Sequence, residues 1–229
     1  MKEKIFISGA TKGIGRAIAN LFHDKGWQVI LTARGEKGLE EVREALPGVD
    51  AIACDMSDKD AVKKLAAYLN DTYGALDVVV NNAGVFQMGN LHEEPDSAYE
   101  MMMATNVNSA YYLTKGVLPL MKERKQGSII NICSIASLAA YPGGGSYTVS
   151  KFALLGFSKM LRAELLGHGI RVVSVMPGAV MTASWEGVDV PEERLMPAED
   201  IAHAVFAACI MSNRTVVEDI VLRPQSGDL

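Results

Sequence analysis

Short β-branched runs recur along the whole length of this chain, and most are separated by longer stretches with helical periodicity. The runs are KIFISG, WQVILTA, VDAIAC, LDVVVNNAG, GSIINICS, IRVVSVMPG and TVVEDIVL. A strand reaches a parallel partner only through a crossover, so strand–helix alternation predicts a parallel sheet covered by helices on both faces. The runs are nearly continuous in apolar residues, as strands buried on both sides are. Between them, DKDAVKKLAAYL sets Ala61, Leu65 and Leu69 on one helical face and lysines on another. Gly26 in LFHDKGWQV stops a helix, and LPGVD turns into the third strand. With no repeat, low-complexity tract or linker, the expectation is one α/β domain over 1–229. It is a doubly wound parallel sheet of about seven strands with helices on both faces.

Composition narrows the function. Of 229 residues, 49% are hydrophobic and 21% charged, a globular balance that buries a substantial core without covalent staples. The net charge is −5 with no dense basic run, which argues against a nucleic-acid partner. Cys54, Cys133 and Cys209 are odd in number, far apart and set among apolar residues, which reads as buried packing rather than disulfides. The histidines at 23, 92, 168 and 203 show no metal spacing, so no metal site is expected. MKEKIFISGA enters a strand too soon for a signal peptide, and no apolar run approaches the ~20 residues of a membrane span. The reading is a cytoplasmic protein without membrane partners.

The first strand runs into SGATKGIG, and a helical pattern follows. Gly9, Gly13 and Gly15 permit a tight turn in which the backbone around Thr11, Lys12 and Ile14 approaches a pyrophosphate at a helix N-terminus. This is the dinucleotide-binding turn of a Rossmann-type sheet. An NAD site carries an acid about 20 residues further on, bound to the ribose hydroxyls. Here the second strand ends in Ala33 and Arg34, and with Lys12 this supplies two cations and no carboxylate, which suits the 2′-phosphate of NADP(H). Glu36 stands close enough to keep NAD as the rival.

Two tyrosines precede a lysine by four residues: Tyr147 and Lys151 in SYTVSK, Tyr111 and Lys115 in YYLTK. At that spacing the two side chains share a helix face. An ammonium beside a phenol lowers its pKa from about 10 towards the range where a proton shuttle works, a ~3-unit shift worth roughly 4 kcal/mol. Spacing alone does not choose between the pairs.

The order of motifs does. The glycine turn, NNAG at 81–84, Asn106, Ser134, Tyr147, Lys151, and Pro177 with Gly178 resemble the short-chain dehydrogenase/reductase family across the whole chain. Ser134 ends a strand thirteen residues before Tyr147, whereas the residue thirteen before Tyr111 is Ala98, in a helical region. The resemblance implies that Tyr147 is the acid–base group and that Lys151 tunes it and binds the nicotinamide ribose. It gives Ser134 the substrate oxygen and Asn106 a proton-relaying water. It places Asp55 and Met56 at the adenine, Asn82, Ala83 and Gly84 at its ribose, and Pro177, Gly178, Val180 and Thr182 around the carboxamide.

The chain lacks the TGQ-type stretch and VDGG-like close of most 3-oxoacyl-carrier-protein reductases. Its ending, RTVVEDIVLRPQSGDL, is more similar to bacterial sepiapterin-reductase-like members. The segment 184–196 carries Trp185, Val188, Val190 and Leu195 among four acids and reads either as a lid or as an ordinary loop. Phe86, Met88, Tyr141, Met181 and Trp185 are candidate walls for an apolar or flat aromatic substrate. KFALLGFSKMLRAELL and YYLTKGVLPLM are apolar around much of their circumference, and by resemblance build a homodimer or homotetramer. Methionines 101–103 read as packing. The expectation is an NADPH-dependent ketone or aldehyde reductase. A 3-oxoacyl-carrier-protein reductase, a catalytically silent NADP-binding sensor and an NAD-linked alcohol dehydrogenase are the alternatives.

Overall fold

The computed structural model describes residues 2–182, 185, 187 and 189–228. Every apolar run contains a strand: β1 (Lys4–Ser8), β2 (Gln28–Ala33), β3 (Asp50–Ala53), β4 (Val78–Asn81), β5 (Gly127–Ile132), β6 (Ile170–Pro177) and β7 (Asp219–Leu222). All pair in parallel, in the order β3-β2-β1-β4-β5-β6-β7. The winding reverses between β1 and β4, so the connections after those strands diverge and leave a crevice at the carboxyl edge of the sheet. The last run is shorter than its sequence suggests, because β7 begins only at Asp219. There, at the edge of the sheet, Glu218 pairs with Arg162 at 2.8 Å and Asp219 with Lys159.

The helices are α1 (Gly13–Asp24), α2 (Glu36–Ala45), α3 (Lys59–Tyr73), α4 (Asp96–Met103), α5 (Ser109–Arg124), α6 (Gly145–Glu164) and α7 (Ala198–Cys209). A π-helical turn, Ala104–Asn108, joins α4 to α5. Alternation along β1 divides the core. Ile5 and Ile7 pack with Ile18, Phe22, Leu39 and Val205 on one face of the sheet, and Phe6 with Leu65, Leu69, Leu113 and Leu161 on the other. Each such side chain, fully buried, contributes about 1.5–3 kcal/mol. Phe22 anchors the first layer edge-on to Trp27 and Phe206, with centroids 5.0 and 5.2 Å away. Asp58 caps α3 by accepting from the Asp60 and Ala61 amides. Leu65 and Leu69 of that helix are buried as expected, but Ala61 is only half-buried and Val62 takes its place in the core.

Under the crevice a buried polar row ties the middle strands to the helices. Asn81 Nδ2 donates to Thr114 Oγ1 (3.0 Å) and Asn131 Oδ1 (2.7 Å), and Asn131 Nδ2 donates to Ser158 Oγ (3.0 Å). The Ser158 and Ser174 hydroxyls meet at 2.8 Å. Hydrogen bonds in so dry a place hold β4, β5 and β6 in one register against α5 and α6. None of the helices among the described residues is long and apolar enough to cross a membrane.

Candidate active site

The glycine turn is fitted to its neighbours so closely that side chains have no room. Gly9 has φ +67°, and a Cβ there would stand 2.9 Å from Ala83 Cα. A Cβ on Gly15 would come within 2.4 Å of Asn82 Nδ2 and 2.6 Å of the Gly9 carbonyl. That amide nitrogen donates to the carbonyls of Ser8 (2.9 Å) and Gly9 (2.8 Å), so NNAG buttresses the turn from behind. Ser8, which the motif analysis missed, completes the join: its hydroxyl accepts from the Asn82 and Ala83 amides, each at 3.0 Å. The only sequence signal for it was a serine at the end of an apolar strand. The N-terminus of α1 has no side-chain cap and no acid in its first turn, so its amide dipole is left to an anion.

The rest of the crevice follows the same edge. Arg34 is exposed beyond β2 and forms no ion pair among the described residues, and Lys12 is exposed in the turn. Glu36 is engaged elsewhere: its Oε1 accepts from Arg43 at 2.6 Å, and Arg43 also donates to the Ala51 carbonyl. Asp55 is exposed after β3, held below the usual carboxylate range by the Ser57 amide and hydroxyl, with Arg34 adding to the effect. Met56 beside it is buried. Thr11 abuts α2, since a Cβ on Gly38 would lie 3.2 Å from Thr11 Cβ; Ile14 packs on the core. Pro177 ends β6, and the following segment crosses the turn, where Thr182 Cγ2 lies 3.2 Å from the Cβ position of Gly13. The Gly178 amide donates to Leu222, while Val180 bridges to Met196.

Tyr147 and Lys151 occupy successive turns at the start of α6, and Ser134 follows β5. The Ser134 hydroxyl lies beside the Tyr147 phenol, close enough to favour its ionised form. Ser134 Oγ also accepts from the Ala136 amide at 3.1 Å, so the same side chain caps the short turn Ile135–Ser137. Lys151 is 6% exposed, and its ammonium donates to the Ile132 carbonyl at 2.9 Å. Gly84, Asn106 and Lys151 converge: a Cβ on Gly84 would be 3.3 Å from Asn106 Oδ1 and 3.6 Å from Lys151 Nζ. Asn106, in the π-helical turn, accepts from the Val85 amide (2.7 Å) and donates to the Val85 carbonyl (3.0 Å) and Ser150 Oγ (2.9 Å). Ser150, not anticipated, then donates to the Tyr147 carbonyl at 2.7 Å.

The electrostatics differ from the sequence argument, which had Lys151 acidifying Tyr147. Burial is the larger influence and pushes the phenol up from its ordinary value, with the neighbouring Ser134 hydroxyl opposing it. Burial also pushes the Lys151 ammonium down. The physical reason is that both groups are dry and the ammonium reaches past the ring to a carbonyl.

Two of the candidate wall residues border Tyr147. Phe86 stands edge-on to its ring, centroids 4.9 Å apart and planes at 84°. Tyr141 is near enough that Tyr147 adds to the effect of burial in pushing its phenol up. Met88 lies further out, 71% exposed against Gly143. Met181 is on the other side, lining a cleft with Gly13, Arg16 and Ala17. Trp185 is half-buried, its amide donating to Thr182; Ser184 and Val188 of the expected lid lie outside the described residues. The rival pair faces away, with Tyr111 and Lys115 exposed on α5.

Such a sheet, with its tyrosine and buried lysine beside the crevice, belongs to an oxidoreductase. The short chain dehydrogenase family model matches residues 3–192, and the chain belongs to that family. It is 36% identical to a sepiapterin reductase of Chlorobaculum tepidum, over 100% of this chain and 99% of that protein. It is 36% identical to a 3-oxoacyl-acyl-carrier-protein reductase of Haemophilus influenzae, over 90% of each. Among solved structures it superposes on the closed form of a serine dehydrogenase complexed with NADP+ at TM-score 0.91 and 30% identity, covering 99% of this chain and 96% of that one.

Proposed function

We propose that this chain is an NADPH-dependent carbonyl reductase in which Tyr147 protonates the oxygen of a ketone or aldehyde. The observation that carries the reading is a phenol kept protonated by burial, with the Ser134 hydroxyl beside it and a buried lysine one turn later. A protonated phenol is the form that a reduction consumes. When bound, the dinucleotide supplies the hydride. The residues fit such a group: Gly9, Thr11, Lys12, Gly13, Ile14 and Gly15 form a turn held so close to Ala83, Asn82 and Thr182 that a Cβ on its glycines would push it out of shape, and the helix end behind it is uncapped. Arg34, which forms no ion pair among the described residues while Glu36 is paired with Arg43, supports the 2′-phosphate form. Asp55, Met56, Asn82, Ala83 and Gly84 would serve the adenosine half. Tyr147, Lys151, Pro177, Gly178, Val180 and Thr182 would serve the nicotinamide half.

Ser134 and Tyr147 orient the carbonyl by hydrogen bonds to its oxygen. Tyr147 gives up its proton as negative charge develops there, and the Lys151 ammonium stabilises the phenolate left behind. Asn106 holds the Val85 backbone and Ser150, and through them the two walls of the site. Phe86 and Tyr141 beside the reacting phenol support an apolar or flat aromatic substrate, of the sepiapterin or diketone type. The Haemophilus relative supports a 3-oxoacyl thioester as the second reading. Tyr111, Val149, Phe152 and Met160 are exposed apolar residues of α5 and α6 and support a second copy of the chain packing there.

The test is NADPH oxidation with α-diketones, pterins and acetoacetyl thioesters, followed by Tyr147→Phe. That variant is expected to bind NADPH normally and to lose turnover by at least about 10²-fold; near-normal rates would overturn the assignment.

A further inference from the structure

Helix α6 starts at Gly145 with no side-chain cap of its own and no acid in its first turn. Its cap comes from elsewhere in the chain. The amide of Ser146 donates to Glu94 Oε1 at 2.9 Å, and the Ser146 hydroxyl donates to the same oxygen. The two residues are 52 apart in sequence, and Ser146 is fully buried. Glu94 is presented by a tight turn in which the Asn90 carbonyl accepts from the Glu93 and Glu94 amides.

The seam around this contact is closed. The Gly89 amide donates to the Gly143 carbonyl at 3.0 Å. A Cβ on Gly145 would meet the Gly89 carbonyl at 2.5 Å and Glu94 Oε2 at 2.7 Å. Only glycine lets the two loops come this near. Glu94 Oε2 is sealed from solvent with no hydrogen-bond partner among the described residues. A carboxylate oxygen in that state costs free energy, so a cap serving stability alone is a poor explanation for it.

The position suggests another role. The loop held by Glu94 carries Phe86, whose ring is against Tyr147, and the helix end it holds is one residue before Tyr147. We infer that Glu94 is a positioning residue: it clasps the substrate-side loop to the start of α6 and so fixes the Tyr147 hydroxyl relative to the Phe86 wall. A charge-assisted bond at a helix N-terminus is strong and directional enough to do this. The inference rests on the proposed role of Tyr147, and its test has one arm that does not.

That arm is amide hydrogen exchange over residues 144–150 in the protein without added ligand. Glu94→Ala is expected to speed exchange there by about tenfold or more, and exchange at the wild-type rate would overturn the clasp. In the activity arm, kcat for the best carbonyl substrate is expected to fall on the order of 10–100-fold in Glu94→Ala. The Kd for NADPH should stay within about twofold. Glu94→Gln keeps an acceptor for both Ser146 donors and is expected to recover kcat to within about threefold, with exposed Glu93→Ala unchanged as the control. Faster exchange with unchanged kcat in Glu94→Ala would overturn the positioning role. If the wild type turns over no carbonyl at all, the functional reading fails, and the exchange arm alone decides the clasp.

Discussion

Lys151 donates a 2.9 Å hydrogen bond to the backbone oxygen of Ile132, and its Nζ lies 5.7 Å from the centroid of the Tyr147 ring. The ammonium is thus held at the end of β5 rather than on the phenol oxygen. Burial keeps it below the ordinary lysine value of 10.5. A depressed lysine contributes stability only above 10.5, and that contribution is lost as pH falls through its folded value. At neutral pH the residue is therefore a burden on stability, accepted for its chemistry. Lys151→Met is expected to raise the urea stability at pH 7 by about 1 kcal/mol. The gain should shrink as pH approaches 10.5, and turnover should fall by at least about 10²-fold. Urea titrations at pH 7 and 10 check the stability half, and a midpoint lowered equally at both would refute it.

Phe86 is 37% exposed and edge-on to Tyr147, so it is both a wall of the site and a brace for the reacting ring. An edge-to-face pair is worth about 0.5–1.5 kcal/mol beyond its buried area. Phe86→Ala should therefore cost little global stability but loosen Tyr147. The expected outcome is a several-fold rise in KM for flat aromatic substrates with a smaller fall in kcat. Steady-state kinetics on a flat and a small aliphatic ketone test this, because only the flat substrate should lose binding.

Gly15 faces two fixed obstacles, the Asn82 amide and the Gly9 carbonyl. Neither is the end of a flexible chain: Asn82 is held by two hydrogen bonds, and the Gly9 oxygen is backbone. In Gly15→Ala the methyl must displace one of them. The expected cost is about 1–3 kcal/mol in thermal or urea unfolding. NADPH affinity, read by fluorescence titration, should fall at least about tenfold because the cradle distorts. A variant with wild-type affinity would remove the fit argument for this turn.

The strands were legible because burial on both faces demands apolar runs that few other structures need. Tyr147 was harder to recognise. Lys115 Nζ is 5.6 Å from the Tyr111 centroid, almost the separation in the other pair, because i and i+4 on any helix give the same geometry. What differs is environment: Tyr111 is 43% exposed, whereas Lys151 is buried. Only the order of distant motifs carried that information into the sequence reading. Contacts between far segments left no local trace, as with Ser8 on NNAG, Asn106 on Val85 and Glu94 on Ser146. The direction in which the Tyr147 phenol moves was also illegible, since it depends on how dry the site is.

Cys209, at the end of α7, lies in the core layer that contains Phe22, and burial pushes its thiol from 9.0 up to about 12. Arg171 draws it back somewhat. In the unfolded chain the thiol ionises from about pH 9, while in the fold it stays protonated. A raised group of this kind contributes stability that is complete below 9 and is lost as pH rises towards 12. Three units correspond to roughly 4 kcal/mol, of which about two-thirds is gone by pH 11. Cys209→Ala removes that loss and substitutes a cavity costing about 1 kcal/mol at every pH. The two stability curves should therefore cross near pH 10, with the wild type ahead at pH 7 and the variant ahead at pH 11. Urea midpoints at pH 7, 9, 10 and 11 read the crossing directly. Curves that stay parallel over that range would mean that the thiol is not held protonated by the fold.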